Sequence, residues 1–182
     1  MKKKGDIWVS AVLYIALGMI VITLILSAGL PLISKMRDRN TIAQTKTVMF
    51  DIDNNIKAVA NEAKGSTRYL SPVDISAGEF IIDYDADIIK WSMKTKNKMM
   101  EVSTPDKQII FNEGDLKLEL KTTAIEDEYD MTLSFDYSGK EDISLSGNYQ
   151  NPFQGRYSFS IRNVGTKTCG SEECVGVDIT VT

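Results

Sequence analysis

The segment 7-IWVSAVLYIALGMIVITLILSAGLPLIS-34 contains 28 consecutive residues without a charge. As an α-helix it would be about 42 Å long at about 1.5 Å per residue, which exceeds the roughly 30 Å hydrocarbon core of a bilayer. Fifteen of these residues are Leu, Ile or Val, and each favours insertion at mid-membrane by about 0.3–0.6 kcal/mol. The sequence therefore predicts a hydrophobic helix over residues 6–34 that crosses the cytoplasmic membrane once.

The composition outside this segment excludes several classes of protein. The chain has 182 residues, a net charge of −4 and no histidine. Without histidine there is no Ser-His-Asp or Cys-His nucleophile pair and no His-ligated zinc. Residues 35–182 carry 18 Lys and Arg against 24 Asp and Glu, whereas nucleic-acid binders usually present a basic face. We therefore expect no enzyme activity, no cofactor, no metal site and no nucleic-acid partner.

Two other interpretations of the apolar segment remain open. A secretory signal peptide also begins with lysines, but its apolar region is usually about 7–15 residues, and Ser27-Ala28-Gly29 would place cleavage unusually late. A plain signal anchor is the second alternative. Counting positive charges does not decide the orientation, because lysines 2–4 on one side are matched by Lys35, Arg37 and Arg39 on the other.

The two cysteines bear on the side of the membrane occupied by the rest of the chain. Cys169 and Cys174 lie close together in TCGSEECVG. We favour a disulfide between them, while reduced thiols and a metal or redox site stay open as alternatives. A structural disulfide persists in an oxidising compartment, so this pairing predicts an extracellular location for the part of the chain that follows the apolar segment.

An amphipathic pattern follows the apolar segment. Apolar residues recur with a 7-3-4-3-4 spacing that lines one face of a helix; they are Ile42, Met49, Ile52, Ile56, Val59 and Ala63. Gly65 fits a helix C-cap. The pattern predicts an amphipathic helix over 35–65, continuous with the apolar one and bent at Pro31, which removes a hydrogen bond and clashes with the preceding turn.

Residues 66–182 are predicted to form a β-rich head domain. Alternating apolar residues at 116–120, 131–135, 157–161 and 175–181, with short apolar runs at 80–82, 88–89 and 109–111, indicate seven or eight strands. Turns are expected near Gly114, Gly139, Pro152 and Gly165. The fold class is therefore predicted to be α+β, with the amphipathic half of the long helix packed on an antiparallel β-sheet or β-sandwich.

The amino-terminal residues resemble those of a known family. Lys4-Gly5 followed by Asp6 and a long apolar helix is similar to the leader and first helix of archaeal type IV pilins and archaellins. The resemblance covers the leader and about the first 60 residues. Bacterial members usually carry a glutamate at the fifth mature position, where this chain has Ser10, which favours the archaeal branch.

This resemblance implies a structural subunit of a surface filament. A prepilin-type peptidase would remove leader residues 1–5 by cutting between Gly5 and Asp6. The helix would rest in the membrane before assembly, and the pilus assembly machinery would then transfer it to a homopolymer at the cell surface. Small residues that would permit close helix packing in the filament core are Gly18, Ser27, Ala28 and Gly29. The alternative function is a single-pass membrane-anchored extracellular β-domain that binds a ligand or partner.

Three other clusters of charged residues are candidate binding sites. Asp83, Asp85 and Asp87 have the first spacings of a calcium loop but lack its later ligands. The acidic run 126–130 is expected to be a solvated turn. The basic stretch that contains Lys90, Trp91 and Lys94 is interpreted as an exposed lysine-rich edge strand or loop rather than a site for an acidic polymer.

Overall fold

A computed structural model describes residues 3–97, 108–123, 128–147, 151–170 and 172–182, with side chains from Trp8 onward. Within these ranges, one helix precedes eight strands. The elements are α1 (Lys3–Ala60), β1 (Thr67–Asp83), β2 (Ile88–Thr95), β3 (Gln108–Glu113), β4 (Leu116–Thr122), β5 (Tyr129–Asp136), β6 (Glu141–Ser146), β7 (Phe153–Cys169) and β8 (Glu172–Val181). The chain divides into two compact units, Met1–Arg39 and Asn40–Thr182.

The strands form one eight-stranded sheet in the order β3-β4-β5-β2-β1-β7-β8-β6. Each described pair of neighbours is antiparallel except β6 and β8, which run parallel with Ile143 opposite Val177. Strands β1 and β7 form a long central ribbon, in which Phe159 faces Leu70. The result is a single mixed sheet rather than a two-sheet sandwich, and the predicted α+β fold class is confirmed.

The carboxyl-terminal half of α1 packs on one face of this sheet. Met49, Ile52, Ile56 and Val59 are each at most 1% exposed and belong to the main hydrophobic core. Alternating residues of the strands supply the other side of the core, as period-2 side-chain orientation requires. The largest of them are Phe80, Trp91, Phe135, Phe153 and Phe159. Ile42 is partly buried and packs against the same core.

The helix ends earlier than the sequence pattern suggested. α1 stops at Ala60, so Ala63 lies beyond it and is exposed. Gly65 is not a helix cap: it sits in a turn closed by a hydrogen bond from Ser66 N–H to Ala63 O (3.0 Å), with φ of 92°. A side chain is strained at that φ, which explains glycine in the turn.

Three features of the strands also differ from the sequence predictions. Gly165 is not a turn but lies inside β7, at an irregularity in its pairing with β8, and has φ of 100°. The first half of β1 and the whole of β6 were missed, because their apolar residues are too few to give a clear alternation. Of the acidic run 126–130, which was predicted to be a solvated turn, Glu126-Asp127 lies outside the described residues, whereas Asp130 belongs to β5.

Candidate functional site

The apolar part of α1 is the most unusual surface of the protein. Its large hydrophobic side chains are exposed on all faces, from 46% for Val21 to 77% for Trp8. The most apolar window of the helix has a mean hydropathy of 2.7, and none of it is buried. By length and composition this helix can cross a membrane. A helix that is hydrophobic all round requires lipid or other apolar helices as its surroundings.

Two polar side chains of this segment are satisfied within the helix. Thr23 Oγ1 donates to Met19 O (2.8 Å), and Ser27 Oγ donates to Leu24 O (3.0 Å). A hydroxyl bonded to the preceding turn needs no water or external partner. The segment can therefore enter an apolar environment without leaving these groups unpaired.

The small residues predicted to pack in a filament core lie on this surface. Gly18 and Gly29 are 11 residues apart, which places them on nearly the same face of an α-helix. A Cβ at either position would have no neighbour within 4 Å, so internal packing does not require glycine there. Ser27 and Ala28 are exposed, on other faces.

The predicted kink and leader fall within the same helix. Pro31 lies inside α1, which continues on both sides of it; the bend stays a prediction. The helical backbone also includes Lys4, Gly5 and Asp6, whose side chains lie outside the described residues. Cleavage between Gly5 and Asp6 likewise stays a prediction.

A polar network joins α1 to the sheet within the second unit. Asp53 is nearly buried, and its two carboxylate oxygens accept hydrogen bonds from Tyr137 Oη (3.1 Å) and Lys57 Nζ (2.9 Å). Lys57 Nζ also donates to Asp115 Oδ2 (2.6 Å), in the hairpin between β3 and β4. One lysine thus bridges the buried carboxylate and an exposed one.

The electrostatics of this network favour the protonated phenol of Tyr137, the ammonium of Lys57 and the ionised carboxylate of Asp115. Burial raises the pKa of Tyr137, and the neighbouring Asp53 charge adds to the effect, so the phenol stays protonated and donates. Burial opposes the charge on Lys57, but its hydrogen bonds to Asp115 and Asp53 outweigh this and raise its pKa. The bond from Lys57 lowers the pKa of Asp115. Burial raises the pKa of nearby Glu141, whose Oε2 has no hydrogen-bond partner.

A strand residue caps the carboxyl end of α1. Asn163, 4% exposed, lies on β7 and donates from Nδ2 to Val59 O and Glu62 O, both at 3.0 Å. Its Oδ1 accepts from Gly165 N–H (2.7 Å). Carbonyls at a helix end have no partner within the helix, so this side chain supplies one from 104 residues away.

The structure contains the disulfide between Cys169 and Cys174. It joins the end of β7 to the beginning of β8: Cys169 lies opposite Glu172, and Cys174 lies opposite Lys167, two residue pairs further along the strands. Because structural disulfides persist in oxidising compartments, the bond suggests an extracellular environment for this unit.

The weaker candidate sites have structural roles. Asp87 Oδ1 accepts a hydrogen bond from Ile143 N–H (2.8 Å), and Asp83 Oδ1 accepts one from Ala86 N–H (3.3 Å). Among the described residues, no group of three Cys, Asp or Glu side chains is placed to hold a metal ion. These aspartates therefore stabilise the turn between β1 and β2 and its contact with β6.

The interpretation of the Lys90–Lys94 stretch as an edge strand or loop was wrong. It belongs to β2, which lies in the middle of the sheet between β5 and β1. Trp91 is fully buried and its Nε1 donates to Ala77 O (2.9 Å), so it offers no stacking surface to a polymer. Its neighbours Lys90 and Lys94 alternate onto the opposite face of the sheet.

Several structurally important residues were missed in the sequence. Asp53 and Lys57 are four residues apart beside the apolar stripe of α1, and this spacing is a usable signal for an ion pair. The partners Tyr137, Asp115 and Asn163 carry no comparable local signal, because each reaches α1 from a distant strand or hairpin.

Fold and surface together define an α+β protein with a long, exposed, apolar amino-terminal helix and a disulfide-bonded β-sheet head. Comparisons with protein-family models, curated proteins and solved structures gave no match to this chain. Any more specific function must therefore be argued from the residues themselves.

Proposed function

We propose that this protein is a pilin-like structural subunit of an archaeal type IV pilus-like surface filament. The observation that carries the proposal is the uncharged, exposed helical segment that begins two residues after the Lys4-Gly5 pair. A leader of this kind resembles the archaeal pilin and archaellin leaders, and the exposed helix supplies the apolar surface that such subunits use for assembly.

The proposed assembly depends on two alternative surroundings for one apolar surface. Before processing, the lysines at positions 2–4 hold the amino end at the cytoplasmic face, and the helix rests in lipid. Removal of residues 1–5 deletes these charges. The helix then leaves the bilayer for a bundle of identical helices, where Gly18 and Gly29 allow close approach on one face.

The driving force for this transfer is not hydrophobicity itself. Lipid tails are as apolar as leucine side chains, so helix association in a membrane depends on packing and on small residues at the contact. The assembly machinery supplies the remaining work. Identical subunits in a repeated contact that does not close generate a helical filament, and the β-sheet head would form its outer surface.

Amino-terminal sequencing of the mature protein tests the processing step. A mature chain that begins at Asp6 supports the proposal. A chain that retains Met1 indicates an ordinary membrane anchor with an extracellular β-domain, and a chain that begins near Leu30 indicates a cleaved secretory signal.

Electron microscopy of cells with and without this chain tests the assembly step. Loss of filaments on deletion, restored by the wild-type chain but not by a Gly5→Trp variant, is the expected result. A Lys35→Gln variant is a suitable control, because it removes a positive charge at the other end of the apolar segment without touching the leader. Normal filaments from the Gly5→Trp variant would refute processing at this position.

A further inference from the structure

The two edge strands of the sheet, β6 and β3, differ in how they are protected against pairing with another strand. At one edge, the Ile143 N–H of β6 is already bonded to Asp87 Oδ1 (2.8 Å), and Glu141 and Asp142 add charge to the strand. Side-chain caps and charges of this kind normally prevent pairing between the edges of different sheets. Edge β6 is therefore closed to another strand.

Within the part of the chain that the structure describes, no such protection is present along the middle of the edge formed by β3. The segment Ile109-Ile110-Phe111-Asn112 carries no charge, and Ile110 and Phe111 are 52% and 54% exposed. β3 is the outermost strand in the order of the described sheet, so no described strand pairs with its outer side. An uncharged, apolar edge strand is a template for another strand.

The register of β3 with β4 shows which groups face outward. Glu113 pairs with Leu116 across a two-residue hairpin turn, and Phe111 pairs with Leu118. Backbone groups in an antiparallel pair alternate between the neighbour and the open side. Because the residues that flank a two-residue turn bond to each other, the backbone groups of Ile110 and Asn112 point away from β4.

From these observations we propose that β3 is an interaction surface for the β3 strand of a second copy of this chain. The two strands pair antiparallel about a two-fold axis at Ile110. The occupant is a second β3 rather than β6, because β6 is capped. This contact is independent of the apolar helix and of the filament proposed above.

The β3 sequence is complementary to itself in this register. Ile110 faces its own copy and Ile109 faces Phe111, so apolar side chains meet apolar ones. Asn112 faces Gln108, whose Nε2 donates to Glu119 Oε1 (2.7 Å) of its own chain, so no charged side chain enters the paired segment of β3. A shift by two positions would set the charged Glu113, which forms an ion pair with Lys46, against Ile109. The register centred on Ile110 avoids that cost and keeps the ion pair outside the contact.

Side chains on the core side of β3 strengthen the argument. Phe111 and Ile109 pair with Leu118 and Leu120, which pack in or against the hydrophobic core. A second β3 would therefore extend the apolar layer of the sheet across the two-fold axis. Five paired residues form a small interface, so we expect a weak, concentration-dependent dimer.

Engineered cysteines in the full chain test both the contact and its register. Both native cysteines are already joined in the disulfide, so an added thiol reports on its own position. Residues that form a hydrogen-bonded antiparallel pair have Cα atoms about 5.5 Å apart, within the range that a disulfide can bridge. The full chain is held in excess detergent, in separate micelles, and oxidised mildly before separation on a non-reducing gel.

We expect Ile110→Cys to give at least about tenfold more disulfide-linked dimer than Tyr69→Cys. Tyr69 is a matched control because it is 80% exposed but lies on the central strand β1. Asn112→Cys alone should not link, since the two copies of this residue would be about 14 Å apart at ~3.4 Å per residue. A mixture of Gln108→Cys and Asn112→Cys chains should link.

Each outcome decides the proposal. The proposal is overturned if Ile110→Cys and Tyr69→Cys give equal amounts of disulfide-linked dimer. It is also overturned if Asn112→Cys alone gives as much dimer as the mixture of Gln108→Cys and Asn112→Cys chains, because that result would indicate random collision. As a test without thiols, Ile110→Lys should abolish the concentration-dependent rise in mass measured by light scattering. An unchanged rise in mass would also overturn the proposal.

Discussion

Asn163→Ala should lower the free energy of unfolding by about 2–4 kcal/mol. The wild-type amide donates to Val59 O in the last turn of α1 and to Glu62 O just beyond the helix, and it accepts a third hydrogen bond from Gly165 N–H. Alanine leaves the partly buried Gly165 N–H without its partner, whereas Val59 O loses one of two bonds because it still accepts from Glu62 N–H (3.1 Å). A buried group left unpaired costs about 1–3 kcal/mol and the lost bond to Val59 O adds about 1 kcal/mol, whereas water can replace the bond to Glu62 O near the surface.

The assay is equilibrium unfolding of the full chain in detergent by guanidinium chloride. Fluorescence of the fully buried Trp91 reports the loss of the core, and a Trp8→Phe background removes the signal of the exposed helix. Asn61→Ala is the matched control: Asn61 Nδ2 donates to Lys57 O (2.7 Å) at an exposed position. We expect this control to change stability by less than about 0.5 kcal/mol.

A second variant separates hydrogen bonding from side-chain volume. Asn163→Asp keeps the size and one acceptor, but replaces the donor to Val59 O and Glu62 O by a second acceptor. An ionised carboxylate at this buried position is disfavoured, so its folded-state pKa lies above the unfolded value of about 3.9. Stability of this variant should therefore fall as pH rises through the folded-state pKa.

Equal stability of the Asn163→Ala and Asn61→Ala variants would contradict this prediction. In that case the end of α1 would not depend on the strand residue, and the burial of Val59 alone would hold the helix in place. A loss of stability in Asn163→Asp that does not change with pH would show that the carboxylate is not the cause.

Three further changes test other parts of the structure. Burial raises the pKa of Glu141. The stability of the wild-type protein should therefore fall as pH rises above about 4.3, the ordinary glutamate pKa, and through the raised folded-state pKa. In Glu141→Gln, the melting temperature should lack this decrease with pH. Gly78→Ala should lower the free energy of unfolding by about 3 kcal/mol, because the φ of Gly78 is 79° and a Cβ there would lie 2.6 Å from Trp91 Nε1. Gly139→Ala is the control, since Gly139 has a similar φ but lies in open space. It should cost about 1 kcal/mol in the same denaturant assay. Replacing both cysteines by alanine should cost about 2 kcal/mol, the loop-closure value for so short a loop, and leave the fluorescence of the folded core unchanged.

The buried face of α1 could be predicted from the sequence, but the end of the helix could not. The spacing of Met49, Ile52, Ile56 and Val59 predicted a buried face, and those residues are in the core. The same pattern placed Ala63 in the helix, but α1 ends at Ala60. Periodicity identifies the face that packs, whereas the position of the last turn depends on which distant group accepts or donates at the helix end.

The position of β2 in the sheet could not be predicted from its sequence. Lysines at 90 and 94 are typical of an exposed edge, yet β2 is a central strand. The alternating residues Ile89, Trp91 and Met93 face the core, and the lysines project from the opposite face. Period-2 alternation describes the two faces of a strand, but it contains no information about which strands lie on either side.

The sequence alone determined the apolar helix, because 28 uncharged residues require an apolar environment wherever they are placed. It also determined most of the strands, because side-chain alternation is a local property of the backbone. The tertiary structure decided the single sheet, the parallel pairing of β6 with β8, and the polar contacts of α1. Asp53 meets Tyr137 across 84 residues, and Asn163 reaches Val59 across 104. Contacts this far apart in sequence exist only after the chain has folded, so no local pattern of residues specifies them.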